Sequence, residues 1–316
     1  MKNILVLVPA NDRHRKLLEE KAPDADFFYV NKEADIAARV KNANIIIGNP
    51  SAALIKDANN LELLQLQSAG AGEYAEKDIL PEGVLLTNAS GAYGLAISEY
   101  MLAVLLELFK KLHLYRDKQM KSDWSNSGSM RSIYGSTALV AGLGDIGGEF
   151  AGRLKALGAY TIGIRRRNGE KPDYLDELHF MDKFGELLSR ADIVALSLPG
   201  TKLTNRIINR ETLKLMKRDA VLINVGRGSA VDTEALCDAL ENGQIAGAAL
   251  DVTDPEPLPK DHRLWGIRNA VITPHVSGGF SLQETHDRII RICADNLEAF
   301  LKGKSLKNVV DLSAGY

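Results

Sequence analysis

The stretch STALVAGLGDIGGEFAGRLKALGAYTIGIRRR, Ser136 to Arg167, decides the fold. Its apolar run Thr137 to Ala141 reads as a buried parallel strand that feeds straight into Gly142-Leu-Gly144-Asp-Ile-Gly147. A helical pattern follows, with Phe150, Leu154 and Leu157 on one face; Gly158 stops it, and Tyr160 to Ile164 reads as the next strand. A G-x-G-x-x-G triplet is weak alone, and strand–turn–helix–strand is the context that gives it meaning. Gly142 permits the tight turn, Gly144 lets backbone approach a pyrophosphate, and Gly147 lets helix and strand pack closely. Free N–H groups and a partial positive charge at the helix N-terminus then favour an anion. The alternative is a merely structural turn, and having both strands and the helix in register favours a dinucleotide site.

The rest of the composition is that of an ordinary globular chain. At 316 residues it can form two cores, and 45% hydrophobic with 25% charged residues is a usual balance. A formal net charge of −2 gives no general reason to expect nucleic acid or an acidic membrane as partner. Cys237 and Cys293 form no C-x-x-C pair, so a reduced, cytoplasmic protein is expected. MKNILVLVPA reads as a first strand rather than a signal peptide, and Met101 to Leu108 is too short and too charged to span a bilayer. No metal-ligand cluster stands out.

Before the fingerprint, strand signals at 3–8, 27–30, 44–47, 63–67 and 84–86 are joined by helical segments at 15–21 and 33–40. This alternation predicts a small parallel-sheet domain without a nucleotide fingerprint. Its turn Ser68-Ala69-Gly70-Ala71-Gly72 can either present backbone N–H groups to an anion or simply turn the chain. Residues 96–112 read as a long helix whose Met101, Leu105, Leu108 and Leu112 stripe suits a core or a subunit interface. Residues 117–132 read as a wandering polar connection with Trp124 as its one large anchor.

After the fingerprint, strands at 193–196, 220–224, 246–250 and 270–273 alternate with helices at 184–189, 211–216 and 233–240. With the two strands flanking the fingerprint this makes six, the number in a dinucleotide-binding sheet of two halves. A helix over 282–301 returns the chain, placing Val309-Val310 at the edge of the first domain. The fold class expected is therefore α/β, with two Rossmann-like parallel-sheet domains. A discontinuous flavodoxin-like substrate domain, residues 1–98 plus 287–316, would hold an inserted dinucleotide-binding domain, residues 99–286.

Working residues in such sheets sit just past the C-terminal strand ends. Arg227 follows strand 220–224, Glu256 follows 246–250, and His275 follows 270–273 between Pro274 and a glycine-rich run. A guanidinium can grip a carboxylate with two prongs and polarise a neighbouring carbonyl. An imidazole passes protons near neutrality, and an adjacent carboxylate orients it and favours its charged form. Each residue taken singly has a bland reading: a surface ion pair for Arg227, a solvated loop carboxylate for Glu256, and for His275 one of six histidines, of which His179 reads as packed. Asp251 can cap its loop or face a nicotinamide. Their shared placement beyond the strand ends of one nucleotide-binding sheet favours function.

The segments GLGDIGGEFAGRLKALG, LSLPGTKLTNRIINRETLKLMKRDAVLINVGRGSAVDTEAL, AALDVTDPEPLP and NAVITPHVSGG resemble the D-isomer-specific 2-hydroxyacid dehydrogenases, and the likeness runs over essentially the whole chain. The resemblance implies that Arg227, Glu256 and His275 are the catalytic trio. It places Gly142, Gly144, Asp145, Ile146 and Gly147 along the pyrophosphate and Leu198, Pro199 and Thr204 on the adenosine side. Val225, Gly226, Asp251 and Gly278 fall near the nicotinamide, and Ala69, Gly70 and Ala71 fall where the family binds the substrate carboxylate. It implies the short form without a regulatory extension, similar to glyoxylate and hydroxypyruvate reductases, and a homodimer.

The mechanism so implied is hydride exchange between a nicotinamide and a small 2-oxo acid, giving the (R)-2-hydroxy acid, with closure about hinges near 97–100 and 280–287. Glu256 argues against a formate-type enzyme, whereas phosphite oxidation and a non-catalytic corepressor-like scaffold stay open. Gly72-Glu73 departs from the family's commoner aspartate. Arg165-Arg166-Arg167 stands at the end of the second strand, where members using NAD carry an acid. An arginine there attracts a 2′-phosphate, so NADP(H) is the expected cofactor, with NAD(H) possible.

Overall fold

The computed structural model describes residues 1–76, 78–166, 168–280 and 282–312. Its described residues divide into two compact units, 1–93 with 280–316 and 94–279. In chain order the elements are β1 (Lys2–Val6), α1 (Asp12–Lys21), β2 (Ala25–Tyr29), α2 (Glu33–Val40), β3 (Ile45–Ile47), α3 (Ala52–Ile55), β4 (Leu63–Gln65) and β5 (Leu85–Thr87). The second unit follows with α4 (Gly94–Lys110), α5 (Leu112–Gln119), β6 (Thr137–Ala141), α6 (Asp145–Ala156), β7 (Tyr160–Ile164), β8 (Glu177–His179), α7 (Phe184–Leu188) and β9 (Ile193–Leu196). It continues through α8 (Arg210–Leu215), β10 (Val221–Asn224), α9 (Thr233–Glu241), β11 (Gly247–Leu250) and β12 (Ala270–Ile272), and α10 (Gln283–Leu301) belongs to the first unit.

In the first unit, β1 to β5 form a parallel sheet in the order β2-β1-β3-β4-β5, the flavodoxin-like arrangement. The run Ile45-Ile46-Ile47 is wholly buried, as a strand covered on both faces requires. The returning chain joins this sheet's edge through an antiparallel bridge between Thr87 and Val309. Asn296 on α10, fully buried, fixes that return: its amide donates to Gln65 Oε1 (2.7 Å) and to the Lys307 carbonyl (3.0 Å).

The same unit buries a histidine whose neighbours in the sequence are charged. His14 on α1 is buried, and its Nε2 lies 2.8 Å from Asp287 on α10. Bonds from His14 first, then from Gln283, with Arg13 nearby, hold the Asp287 carboxyl down at about 2. A folded-state value below the unfolded one of about 3.9 stabilises the unit above about pH 4, and that contribution is lost as pH falls toward 2. Urea midpoints taken from pH 6 down to 2.5 should therefore fall less steeply below pH 4 in Asp287→Asn than in the parent.

In the second unit the described strands form one parallel sheet, ordered β12-β11-β10-β9-β6-β7-β8. Numbered within the unit this is 3-2-1-4-5-6 extended by one strand, the dinucleotide-binding order. Seven strands stand where six were expected, because Glu177-Leu-His179 pairs in parallel with Ile162 to Ile164. Only Leu178 of those three is apolar; polar bonds hold this edge strand, since Glu177 receives Tyr160 Oη (2.8 Å) and lies 2.7 Å from His179 Nε2. His179 accordingly pairs with Glu177 rather than packing.

Helix α4 lies wholly in this unit and packs along α6, burying Ile97, Met101, Val104, Leu105 and Leu108; the division falls before this helix rather than inside it. Trp124, expected as the anchor of its segment, is fully exposed. Lysines close its segment instead: Lys118 Nζ reaches the Ser125 carbonyl (3.0 Å) and Lys111 Nζ the Ser127 carbonyl (2.7 Å). Among the described residues no helix is long and apolar enough to cross a membrane.

Candidate active site

The glycine turn is built for close approach. Gly142 has φ +92°, and a Cβ there would lie 2.6 Å from the Ser197 carbonyl oxygen. A Cβ on Gly147 would lie 1.8 Å from the Gly142 carbonyl oxygen, so only glycine fits. Gly144 is different: the space its Cβ would fill is open among the described residues, and as N-cap of α6 it provides no side-chain cap for the helix N–H groups. Open space above uncapped amides is what a pyrophosphate needs, so these residues fit a dinucleotide. The Asp145 carboxylate faces elsewhere, accepting from Gly94 N (2.6 Å) at the start of α4, so at the turn Asp145 offers its backbone.

On the far side of β7, Arg165 directly follows the strand and its N–H donates to the His179 carbonyl (3.2 Å). Its guanidinium folds over its own turn, donating to the carbonyls of Gly169 and Glu170, while Arg166 is exposed. Arg167 lies outside the described residues. Beyond β9, Leu198 is buried, and the Thr204 hydroxyl closes the 199–204 turn by donating to the Pro199 carbonyl (2.6 Å).

Three neighbouring strands, β10, β11 and β12, carry the polar residues singled out above. After β10, the fully buried Asn224 shapes the loop, accepting from Gly226 N (3.1 Å) and donating to the Arg227 carbonyl (2.9 Å). Val225 and Gly226 are buried with it, and the close approach of Gly226 to Leu198 leaves no room for a Cβ. Arg227 is half-buried; its Nη1 bonds the Gly226 carbonyl (2.8 Å) and its stem lies over Gly200.

After β11 and β12, Glu256 and His275 meet: Glu256 Oε1 is 2.7 Å from His275 Nδ1, with the two side chains 42% and 50% exposed. His275 has φ +52°, a left-handed conformation that histidine tolerates better than most residues. Its N–H donates to the Asp251 carbonyl (2.8 Å). The Asp251 carboxylate, 2% exposed, is committed to the same loop, receiving Thr273 Oγ1 (2.6 Å), Val276 N (2.9 Å), Ser277 N (3.1 Å) and the Ser277 hydroxyl. Gly278 follows directly. Sequence reasoning missed Asn224 and Thr273; the signal for Asn224 was an amide at the end of an otherwise apolar strand, where burial demands partners.

Considered by itself, the first unit's loop after β4 is a tight turn. Ser68 Oγ donates to the Gly70 carbonyl (2.7 Å), and Asn49, at the end of β3, bonds both Ser68 Oγ (2.9 Å) and Gln67 N (2.9 Å). Ala69 and Gly70 are half-buried and Ala71 is buried. Among the described residues no group of three or more His, Cys, Asp or Glu side chains could hold a metal ion.

A parallel sheet in this order, an open glycine turn, and an imidazole–carboxylate pair and an arginine past the ends of three neighbouring strands suit a nicotinamide-dependent oxidoreductase. Residues 102–277 match the family model described as D-isomer specific 2-hydroxyacid dehydrogenase, NAD binding domain. An uncharacterized protein of Corynebacterium melassecola is 35% identical, covering 88% of this chain and 91% of that one. A glyoxylate reductase of Korarchaeum cryptofilum is 30% identical, covering 93% and 89%. The crystal structure of a D-isomer specific 2-hydroxyacid dehydrogenase family protein from Aeromonas salmonicida superposes with a TM-score of 0.87 at 30% identity, covering 98% of this chain and 99% of that one. The chain belongs to the D-isomer specific 2-hydroxyacid dehydrogenase family, NAD(P)-dependent oxidoreductases acting on the CH–OH group of donors.

Proposed function

We propose that this enzyme reversibly reduces a small 2-oxo acid such as glyoxylate or hydroxypyruvate to the (R)-2-hydroxy acid, with NADP(H) preferred over NAD(H). The observation that carries the reading is the 2.7 Å contact of Glu256 with His275 Nδ1 at the end of the nucleotide-binding sheet. With Nδ1 held by a carboxylate, Nε2 is the ring atom left to give a proton to a substrate oxygen. When bound, the reduced nicotinamide supplies the hydride. Gly142, Gly144, Ile146 and Gly147 would hold its pyrophosphate, and Val225, Gly226 and Gly278 would line its nicotinamide end. Arg227 grips the substrate carboxylate and polarises the 2-oxo group, His275 protonates the developing alkoxide, and Glu256 orients the imidazole and balances its charge. Initial rates of NADPH and NADH oxidation over a panel of 2-oxo acids test this; no turnover with any of them overturns it.

Cofactor choice rests on Arg165. Its guanidinium now meets two neutral carbonyls, and a 2′-phosphate is the stronger acceptor for the same planar donors. Arg165→Asp should raise the KM for NADPH by about tenfold or more, the value of one charge-assisted pair, and leave that for NADH little changed or lower. The parent's NADPH preference should shrink as salt rises, because the contact is near the surface. Equal efficiency with both cofactors in the parent would leave the arginines as surface charge.

The same reading includes a homodimer in the cytoplasm. In the second unit the apolar side chains of Met120, Trp124, Met130 and Tyr134 are exposed along 120–134, as side chains covered by a second copy would be, and the two buried free thiols fit a reducing compartment.

A further inference from the structure

We propose that Tyr100 is a positioning residue for His275, acting through Thr273 and Asp251; this rests on the reading of His275 as the proton donor. Tyr100 projects from α4, and its hydroxyl is 2.7 Å from Thr273 Oγ1. Thr273 Oγ1 in turn donates to Asp251 Oδ1 at 2.6 Å. A threonine hydroxyl has one proton. Since a carboxylate oxygen accepts that proton, the bond between Tyr100 and Thr273 runs from the phenol to the threonine oxygen. The relay is thus directional: Tyr100 to Thr273 to Asp251. Burial pushes the Tyr100 phenol up to about 12, so it keeps its donor proton throughout the neutral range.

The relay ends on the loop that bears His275. The two Asp251 oxygens take the backbone N–H groups of Val276 and Ser277, and the Asp251 carbonyl takes that of His275. Those bonds hold the left-handed His275 and the two residues that follow it. Turning the Asp251 carboxylate would therefore swing the imidazole away from Glu256, and Thr273 is the side chain that sets its rotation from the strand side. Tyr100 sits on a helix packed against α6, β10 and β11, which gives the relay a rigid base. In catalysis, small displacements of a general acid cost turnover more than affinity.

The test uses Tyr100→Phe, Thr273→Val and Thr273→Ser in the full chain, with His275→Asn as a second background. Tyr100→Phe should lower kcat about three- to tenfold, the range of one hydrogen bond, while KM for the oxo acid and cofactor Kd stay within about twofold. Thr273→Val should lose more, and Thr273→Ser, which keeps the hydroxyl, should recover most of it. In His275→Asn the same Tyr100→Phe change should add nothing. Unchanged kcat in Tyr100→Phe, or an equal further loss in the His275→Asn background, overturns the proposal. The ring resonance of His275, assigned by its loss in His275→Asn, gives a reading independent of turnover. If it stays put in Tyr100→Phe the positioning role fails; if it moves while the parent reduces no 2-oxo acid, the functional reading fails and the positioning role stands.

Discussion

Replacing His275 by alanine is expected to lower kcat for 2-oxo acid reduction by at least about a hundredfold, the ordinary cost of losing a general acid. Cofactor affinity should hardly change, because the open glycine turn and the uncapped N-terminus of α6 are untouched. One complication is conformational. His275 sits at φ +52°, where alanine carries a penalty of about 1–2 kcal/mol, so His275→Ala loosens the loop as well as removing the acid. Asparagine tolerates that conformation and cannot deliver a proton, so His275→Asn isolates the chemistry. Both variants should show the same large fall in kcat by stopped-flow and steady-state assay, with only alanine also lowering the melting temperature. Glu256→Gln should do less harm, about tenfold, because an amide oxygen still accepts from Nδ1 but no longer balances the ring's charge. If either His275 variant keeps kcat within about threefold of the parent, the proton comes from elsewhere and the imidazole–carboxylate pair is structural.

What could be read from the chain follows from where each signal lies. Thr137–Ala141, the three glycines and α6 were legible because run, turn and amphipathic face are contiguous, and the structure places Gly142 and Gly147 where no Cβ fits. The first sheet was legible for the same reason, down to the edge bridge at Val309. Glu177–His179 was not, because a short edge strand with polar outer positions has no hydrophobic signature, and its stability comes from Arg190 and Tyr160, which lie elsewhere in the chain. Trp124 misled because a large aromatic in a polar stretch suggests burial, whereas here it faces outward. His275 and Glu256 were legible as positions after strand ends, and Asp251 as a loop cap, yet the side chains that bond toward Asp251 were not. Tyr100 and Thr273 are 173 positions apart, and Thr273 and Asp251 are 22 apart. Single-sequence patterns carry no information on such pairings, which only the packing of α4 against the sheet creates.

Arg227→Lys should be nearly as damaging as loss of the histidine, although charge is conserved. Arginine's planar fork meets both oxygens of a carboxylate while another N–H points at the adjacent carbonyl, and an ammonium on a shorter head cannot do both. The structure adds a second reason. One donor of this guanidinium is already used on the Gly226 carbonyl, and its stem lies over Gly200, so the remaining donors are aimed by the loop that Asn224 holds. Lysine would have to choose between that carbonyl and the substrate. With hydrogen bonds to charged groups at about 1.5–3 kcal/mol each, losing one prong and the carbonyl contact amounts to a roughly hundredfold or greater fall in kcat/KM. The division of that loss is informative. The carboxylate contact exists before and during the reaction, so its loss should raise KM, whereas the carbonyl contact strengthens only as negative charge builds on oxygen, so its loss should lower kcat. Both changes are therefore expected together in steady-state assays with glyoxylate. A raised KM with an unchanged kcat would confine Arg227 to holding the acid, leaving His275 alone to stabilise the growing charge, and kinetics matching the parent's would make it a surface cation.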